Sequence, residues 1–77
     1  MMIKIKLLNG QCKTVELEPT DKVLKLKEML EESEGISPEQ QRLIYAGKQL
    51  QEDKTLEEQK IKPGTQISLL LALTGGF

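Results

Sequence analysis

The sequence contains no histidine and no tryptophan, and its only cysteine is Cys12. A lone cysteine excludes an internal disulfide framework. Without histidine there is no Cys/His zinc cluster and no imidazole acid/base dyad, so neither a metal nor another cofactor is expected. One tyrosine and one phenylalanine leave little aromatic surface for stacking on bases. Charge of one sign is missing too: Lys and Arg number 11 against 12 Asp and Glu, for a net charge of -1. So weak a field does not favour a nucleic-acid backbone, and no nucleic-acid partner is expected. The N-terminus alternates lysine with aliphatic residues and has no continuous apolar run, which argues against a signal peptide or a spanning helix. The expectation is a soluble, intracellular monomer with no membrane partner.

What the chain does have is one clear helical pattern. Over residues 21–35, Val23, Leu26 and Leu30 recur at i, i+3 and i+7 with Met29 beside them, while Lys25, Lys27, Glu28, Glu31, Glu32 and Glu34 fall mostly elsewhere on the wheel. Asp21 is placed to cap the N-terminus, and Gly35 to take the left-handed conformation beyond the last turn. A chain of 77 residues makes one domain and buries only about 60% of its unfolded surface. No other segment is long enough for three helical turns, so the short β-prone segments must find their apolar cover on this helix.

Those segments can be read in order. Met1, Ile3, Ile5 and Leu7 alternate with Met2, Lys4, Lys6 and Leu8, the period of a half-buried strand. Asn9-Gly10 predicts a tight hairpin turn in which both residues take positive φ. On the returning strand, Val15 and Leu17 share a face, and strict alternation puts Lys13 inward with them. A bulge that turns Cys12 in, or a lysine stem reaching past the sheet edge, would resolve the conflict. Ser37-Pro38-Glu39-Gln40 predicts a very short capped helix, and residues 41–45 a strand. Gly47 and residues 48–50 predict a turn and a brief strand. Thr55-Leu56-Glu57-Glu58 repeats the capping pattern, with Leu56 and Ile61 as core anchors. Lys62-Pro63-Gly64-Thr65 fits a type II turn, and residues 66–72 the last strand. The expected class is α+β, a mixed sheet of four to five strands packed on one helix. Residues 1–72 form the domain, and residues 73–77, Leu73-Thr74-Gly75-Gly76-Phe77, a flexible tail.

Parity points to a function. If Ile3, Ile5 and Leu7 face the helix, then Lys4, Lys6 and Leu8 face away; the same logic turns Arg42 and Ile44 outward from Leu43, and Ser68, Leu70 and Ala72 outward from Ile67 and Leu69. Leu8, Ile44 and Leu70 would then form an apolar centre fringed by Lys6, Arg42 and nearby Lys48, the anatomy of a modest protein-docking surface. Isolated surface aliphatics are also common without any role. Other candidates carry less. Cys12 lacks the electropositive setting of a reactive thiol. Glu31, Glu32 and Glu34 have the spacing of a solvated helix end, and the acidic balance of the chain argues against Lys4, Lys6, Arg42 and Lys48 holding phosphates.

Residues 40–50, Gln40-Gln41-Arg42-Leu43-Ile44-Tyr45-Ala46-Gly47-Lys48-Gln49-Leu50, with Glu34-Gly35-Ile36, Glu18-Pro19, Leu8, Gly10 and Gly75-Gly76, resemble ubiquitin and its close relatives without gaps over residues 1–76. Glu31-Glu32, Tyr45 and Leu71-Ala72-Leu73 are more similar to the Rub/Nedd type. The resemblance implies a β-grasp fold and a protein modifier rather than an enzyme, at work in cytoplasm and nucleus. The Gly76 carboxylate would be attached to target-protein lysines by activating, conjugating and ligase enzymes. Phe77 blocks that carboxylate, so a processing hydrolase would first cut between Gly76 and Phe77. Ala72 and Thr74 would fall where activating enzymes discriminate, Thr74 replacing an arginine usual in the family. The resemblance further implies a docking patch of Leu8, Ile44, Gly47, Ser68 and Leu70 read by ubiquitin-fold-binding domains, with serine in place of histidine and leucine in place of valine. It also implies a second apolar patch of Ile36, Leu71 and Leu73. Of the chain-building lysines, Lys6, Lys27 and Lys48 are present, with Lys48 the possible acceptor; Gln11, Met29, Ser33 and Pro63 hold the other positions. A non-covalent module whose tail is not conjugated, and more distantly a Gly-Gly sulfur carrier, remain alternatives.

Overall fold

A computed structural model describes residues 1–72. Five strands, β1 (Met2–Lys6), β2 (Cys12–Glu16), β3 (Gln41–Tyr45), β4 (Lys48–Gln49) and β5 (Gln66–Leu71), and one helix, α1 (Val23–Glu34), make up its regular structure. Two short 3-10 turns, Pro38–Gln40 and Glu57–Gln59, complete it. The sheet order is β2-β1-β5-β3-β4, with β5 parallel to β1 and the other pairs antiparallel. This is the expected mixed sheet on one helix, with five strands. Ile3, Ile5, Val15, Leu17, Leu43, Ile67 and Leu69 from the sheet meet Val23, Leu26 and Leu30 of α1, and Leu50, Leu56 and Ile61 close the open end. One side of each strand is thus buried and the register fixed, because slipping by one residue would turn these aliphatics into water.

The hairpins divide the labour differently from the sequence expectation. Gly10 takes φ 87°, but Asn9 stays out of the positive region. The Gly10 N–H donates to the Leu7 carbonyl (3.0 Å) and the Leu7 N–H to the Gln11 carbonyl (2.7 Å). The connection is thus a three-residue loop with glycine at the left-handed position, rather than a two-residue turn. Asn9 is used through its side chain, whose Oδ1 accepts the Gln11 N–H at 3.0 Å. The two-residue turn lies instead at Ala46-Gly47, with φ 54° and 79°, between the Tyr45–Lys48 rung of β3 and β4. An alanine there is strained, because its Cβ crowds the carbonyl that follows. Ala46→Asn is expected to raise unfolding free energy by about 1 kcal/mol, asparagine tolerating this region better. Urea denaturation checks it, and an unmoved midpoint would show the turn to be unstrained.

The ends of α1 show a second departure. Lys22 is the N-cap residue and makes no side-chain cap. The carboxylate of Asp21 accepts the Glu18 N–H behind it (2.8 Å) and the Lys25 ammonium ahead (3.4 Å) rather than an amide of the first helical turn. The Glu18 amide above all, with Lys25 helping, holds the Asp21 carboxyl below the usual range. The first helical amides go elsewhere: Val23 N–H donates to the Lys54 carbonyl (3.0 Å) and Leu24 N–H to that of Glu52 (3.1 Å). A neighbouring loop can satisfy these donors as well as a side chain can, so no cap is needed. At the other end Gly35 takes φ 74°, and its N–H closes on Glu31, as expected.

Ser37 also makes no side-chain cap, its carbonyl instead accepting the Gln40 N–H. The Thr55–Glu58 box does form. Glu58 Oε1 accepts the Thr55 N–H (2.8 Å) and lies 3.1 Å from its hydroxyl, and Glu58 N–H donates back to Thr55 Oγ1 (3.2 Å). These bonds hold the Glu58 carboxyl below its ordinary pKa. Gly64, at φ 82°, supplies the positive φ of the expected type II turn, closed by Thr65 N–H to the Lys62 carbonyl.

Lys13 resolves its conflict by reach. The β1–β2 register runs unbroken from Met2–Glu16 to Lys6–Cys12, so there is no bulge and Cys12 is exposed. Lys13 sits opposite Ile5 and extends along the core to within 3.9 Å of the Glu34 carboxylate. Lys27, which the wheel assigned to the polar side, is only 6% exposed. It lies four residues after Val23 and three before Leu30, inside the buried stripe, and its ammonium reaches Glu52 at 3.4 Å.

Candidate functional site

Strand β5 positions the candidate docking face because it runs through the middle of the sheet. Ser68 is registered against Lys6 on one side and Ile44 on the other, and Gln49 lies beyond Ile44. The next outward row pairs Leu70 with Arg42, and the preceding one pairs Gln66 with Lys4. Residues opposite one another share a face, so Lys6, Ser68, Ile44, Leu70 and Arg42 stand together on the side away from α1. Leu8 joins them through the β1–β2 loop: with Lys6, Gly10, Ser68 and Leu70 it borders a shallow hollow of about 240 Å³. Leu8 and Leu70 are 49% and 48% exposed, while Ile44 and Ser68 are half-buried.

The fringe is cationic. Among the described residues Lys4, Lys6 and Arg42 form no ion pair, so their charge is directed to solvent. Lys48 is placed differently from the sequence expectation. It pairs with Tyr45, on the alternate pleat from Ile44, and stands beside the face rather than in it. Gly47 is exposed in the adjoining turn. The face can therefore offer apolar contact at its centre and charge-assisted hydrogen bonds at its rim, which is recognition chemistry.

The second expected patch is partly described. Ile36 is half-buried and shares a small hollow with Leu7, Leu8 and Leu69, while Leu71 is exposed at the end of β5. Gln41 links the two segments: it is registered opposite Leu71 and donates its amide to the Ile36 carbonyl at 2.9 Å. Ala72 is half-buried and still tied to the body, its N–H donating to the Gln40 carbonyl at 2.7 Å. Leu73, Thr74, Gly75, Gly76 and Phe77 lie outside the described residues.

Two glutamines were not singled out from the sequence. Gln41 is only 2% exposed, and its Nε2 also donates to the Lys27 carbonyl at 2.8 Å. The signal was available, since Gln41 alternates with Leu43 on the inward side of β3. Gln59 has no such signal, and its role is described below. No group of three or more His, Cys, Asp or Glu side chains placed to hold a metal ion occurs among the described residues.

The ubiquitin family profile matches residues 3–74. Among similar proteins are the ubiquitin-like protein NEDD8 of Dictyostelium discoideum, 49% identical over 77 residues that cover all of both chains. Ubiquitin-like protein 1 of Schizosaccharomyces pombe is 50% identical over 76 residues, covering 99% of this chain and 97% of its own. The NEDD8-like protein RUB1 of Saccharomyces cerevisiae is 46% identical over 76 residues, covering 99% of each. With this likeness running through the helix, the five strands and the two glycines after them, the chain belongs to the ubiquitin family and is similar over its whole length to NEDD8-type proteins.

Proposed function

We propose that this protein is a covalent modifier of other proteins, attached through Gly76 to lysine amines, and that partners read it through the Leu8–Ile44–Ser68–Leu70 face. The observation that carries this reading is the end-to-end likeness to NEDD8-type proteins, with Ala72-Leu73-Thr74 leading from the last strand to Gly75-Gly76 in the sequence. The chemistry is acyl transfer. Hydrolysis of the Gly76–Phe77 bond by a processing hydrolase consumes one water and frees the Gly76 carboxylate. That carboxylate attacks the α-phosphate of ATP in the activating enzyme and expels pyrophosphate. A cysteine thiolate then displaces AMP, the acyl group passes to a conjugating-enzyme cysteine, and a lysine amine directed by a ligase displaces the thiol.

All nucleophiles belong to the partners. This chain supplies a terminus of two residues without a β-carbon, which a narrow channel can approach closely. Ala72 and Thr74 present neutral side chains where an activating enzyme would read charge. Cytoplasm and nucleus are the places of work on this reading, and Lys48, exposed beside the β3–β4 turn, is an acceptor for a further copy. Thr74 is also the residue that favours a second reading, a ubiquitin-like module bound without conjugation, since it removes a charged handle from the tail.

The two readings separate in one assay. The 1–76 form is incubated with ATP and either the NEDD8-type or the ubiquitin-type activating enzyme. A thiol-sensitive adduct is expected with the NEDD8-type enzyme, whereas absence of any adduct with both overturns the modifier. The face has its own check, since Ile44→Ala is expected to weaken binding of a ubiquitin-fold-binding domain about tenfold, or about 1.4 kcal/mol. Unchanged affinity by calorimetry across several such domains would remove Ile44 from the site.

A further inference from the structure

The groove beside β4 carries an inference separate from the sheet face. It has a volume of about 470 Å³ and is lined by Tyr45, Lys48, Gln49, Gln51, Gln59 and Lys60, among others. Strand β4 is the edge of the sheet. Leu50 N–H donates to the Leu43 carbonyl at 2.8 Å, which makes Leu43–Leu50 a hydrogen-bonded rung. The adjacent Ile44–Gln49 rung is then a non-bonded one, and the Gln49 N–H and C=O turn away from β3 into the groove.

Two residues along the same edge, the outward groups of Gln51 are already engaged. The Gln59 side chain accepts the Gln51 N–H on Oε1 at 2.7 Å and donates Nε2 to the Gln51 carbonyl at 3.0 Å. A primary amide thus stands where a neighbouring strand would run. At Gln49 the same pair of backbone groups is left open, in line with that amide. The charge of the groove is set by Lys48 and Lys60, which form no ion pair among the described residues. Its one carboxylate, Glu58, is held by Thr55.

The geometry points to the β4 edge as a strand-addition site for an extended segment of a partner protein that carries carboxylate side chains. Backbone pairing with Gln49 supplies the register, and Lys48 and Lys60 select the charge. A second copy is a poorer occupant. Two-residue edges meeting each other bury far less than the roughly 1,200 Å² of a stable interface and would face like charges.

The test uses the full chain, labelled with nitrogen-15, and the peptide acetyl-Ser-Glu-Val-Glu-Val-Ser-amide at millimolar concentration. The Gln49 amide proton is expected to move downfield and exchange more slowly, with Lys60 and Tyr45 following. Lys48→Gln combined with Lys60→Asn, which keeps a residue suited to φ 61° at position 60, is expected to weaken the peptide about tenfold. Added salt should weaken binding to the unaltered chain, independently of any variant. Shifts confined to Leu8, Ile44 and Leu70 would overturn the proposal, as would a Gln49 shift that follows protein concentration without peptide. Either result leaves the modifier reading standing, and a missing thioester leaves this one standing.

Discussion

Leu43→Ala is expected to lower the unfolding free energy by about 3 kcal/mol, in the lower half of the range for deleting a fully buried leucine. For a domain of this size that corresponds to a fall in Tm of roughly 12–24 °C. Leu43 is wholly buried, registered against Leu69 of the central strand, and its carbonyl anchors Leu50, which closes the open end of the core. A small core has little room to collapse around the cavity. Leu70→Ala, one position along β5 but on the exposed face, is the control and should leave stability nearly unchanged while weakening partner binding. Urea melts of both variants decide the matter; a loss below about 1 kcal/mol for Leu43→Ala would contradict this account of the packing.

Gln41→Ala is expected to cost about as much, near 3 kcal/mol, for a different reason. Its amide serves the Lys27 carbonyl in α1 and the Ile36 carbonyl in the segment after it. Without it the Ile36 carbonyl loses its side-chain donor, at about 1–3 kcal/mol, the Lys27 carbonyl keeps only its partner within α1, and the lost buried volume adds to the cost. Its own Oε1 is buried and unpaired, so the native residue already carries part of such a penalty. Both alanine and leucine remove that orphan, but Gln41→Leu also restores packing and should therefore be milder than alanine. Equal losses for the two variants, measured by denaturant unfolding, would show that the lost side-chain volume carries no weight.

How far the sequence was legible follows from what each signal encodes. Periodicity encodes burial, so Ile3, Ile5, Leu43, Ile67 and Leu69 were placed inward and Leu8, Ile44 and Leu70 outward, as the structure has them. Gly35 and Gly64 were legible because a positive φ admits few other residues. Caps were not, since Asp21 has the right chemistry for a helix start but its carboxylate goes to the Glu18 amide, and Ser37 makes no side-chain cap although its chemistry would allow one. The amides of α1 are served by Glu52 and Lys54, a solution that exists only once the chain has folded. Lys48 was misplaced relative to the docking face because a tight turn of two residues flips the pleat, and parity cannot be counted through a turn of unknown length. Gln59 was invisible for the same kind of reason, its partner Gln51 lying across an irregular connection. Apart from Leu8, which lies just beyond the end of β1, the part of the site that could be read in advance lies on regular strands.

The parallel pairing of β1 with β5 places the first and last strands side by side at the heart of the sheet. During synthesis the hairpin and helix can emerge and collapse, but β1 and β3 each keep a bare edge until β5 leaves the ribosome. The nascent domain is therefore at its most exposed to proteases and to strand exchange just before β5 emerges. Closure of the sheet, and with it of the domain, waits on Gln66–Leu71.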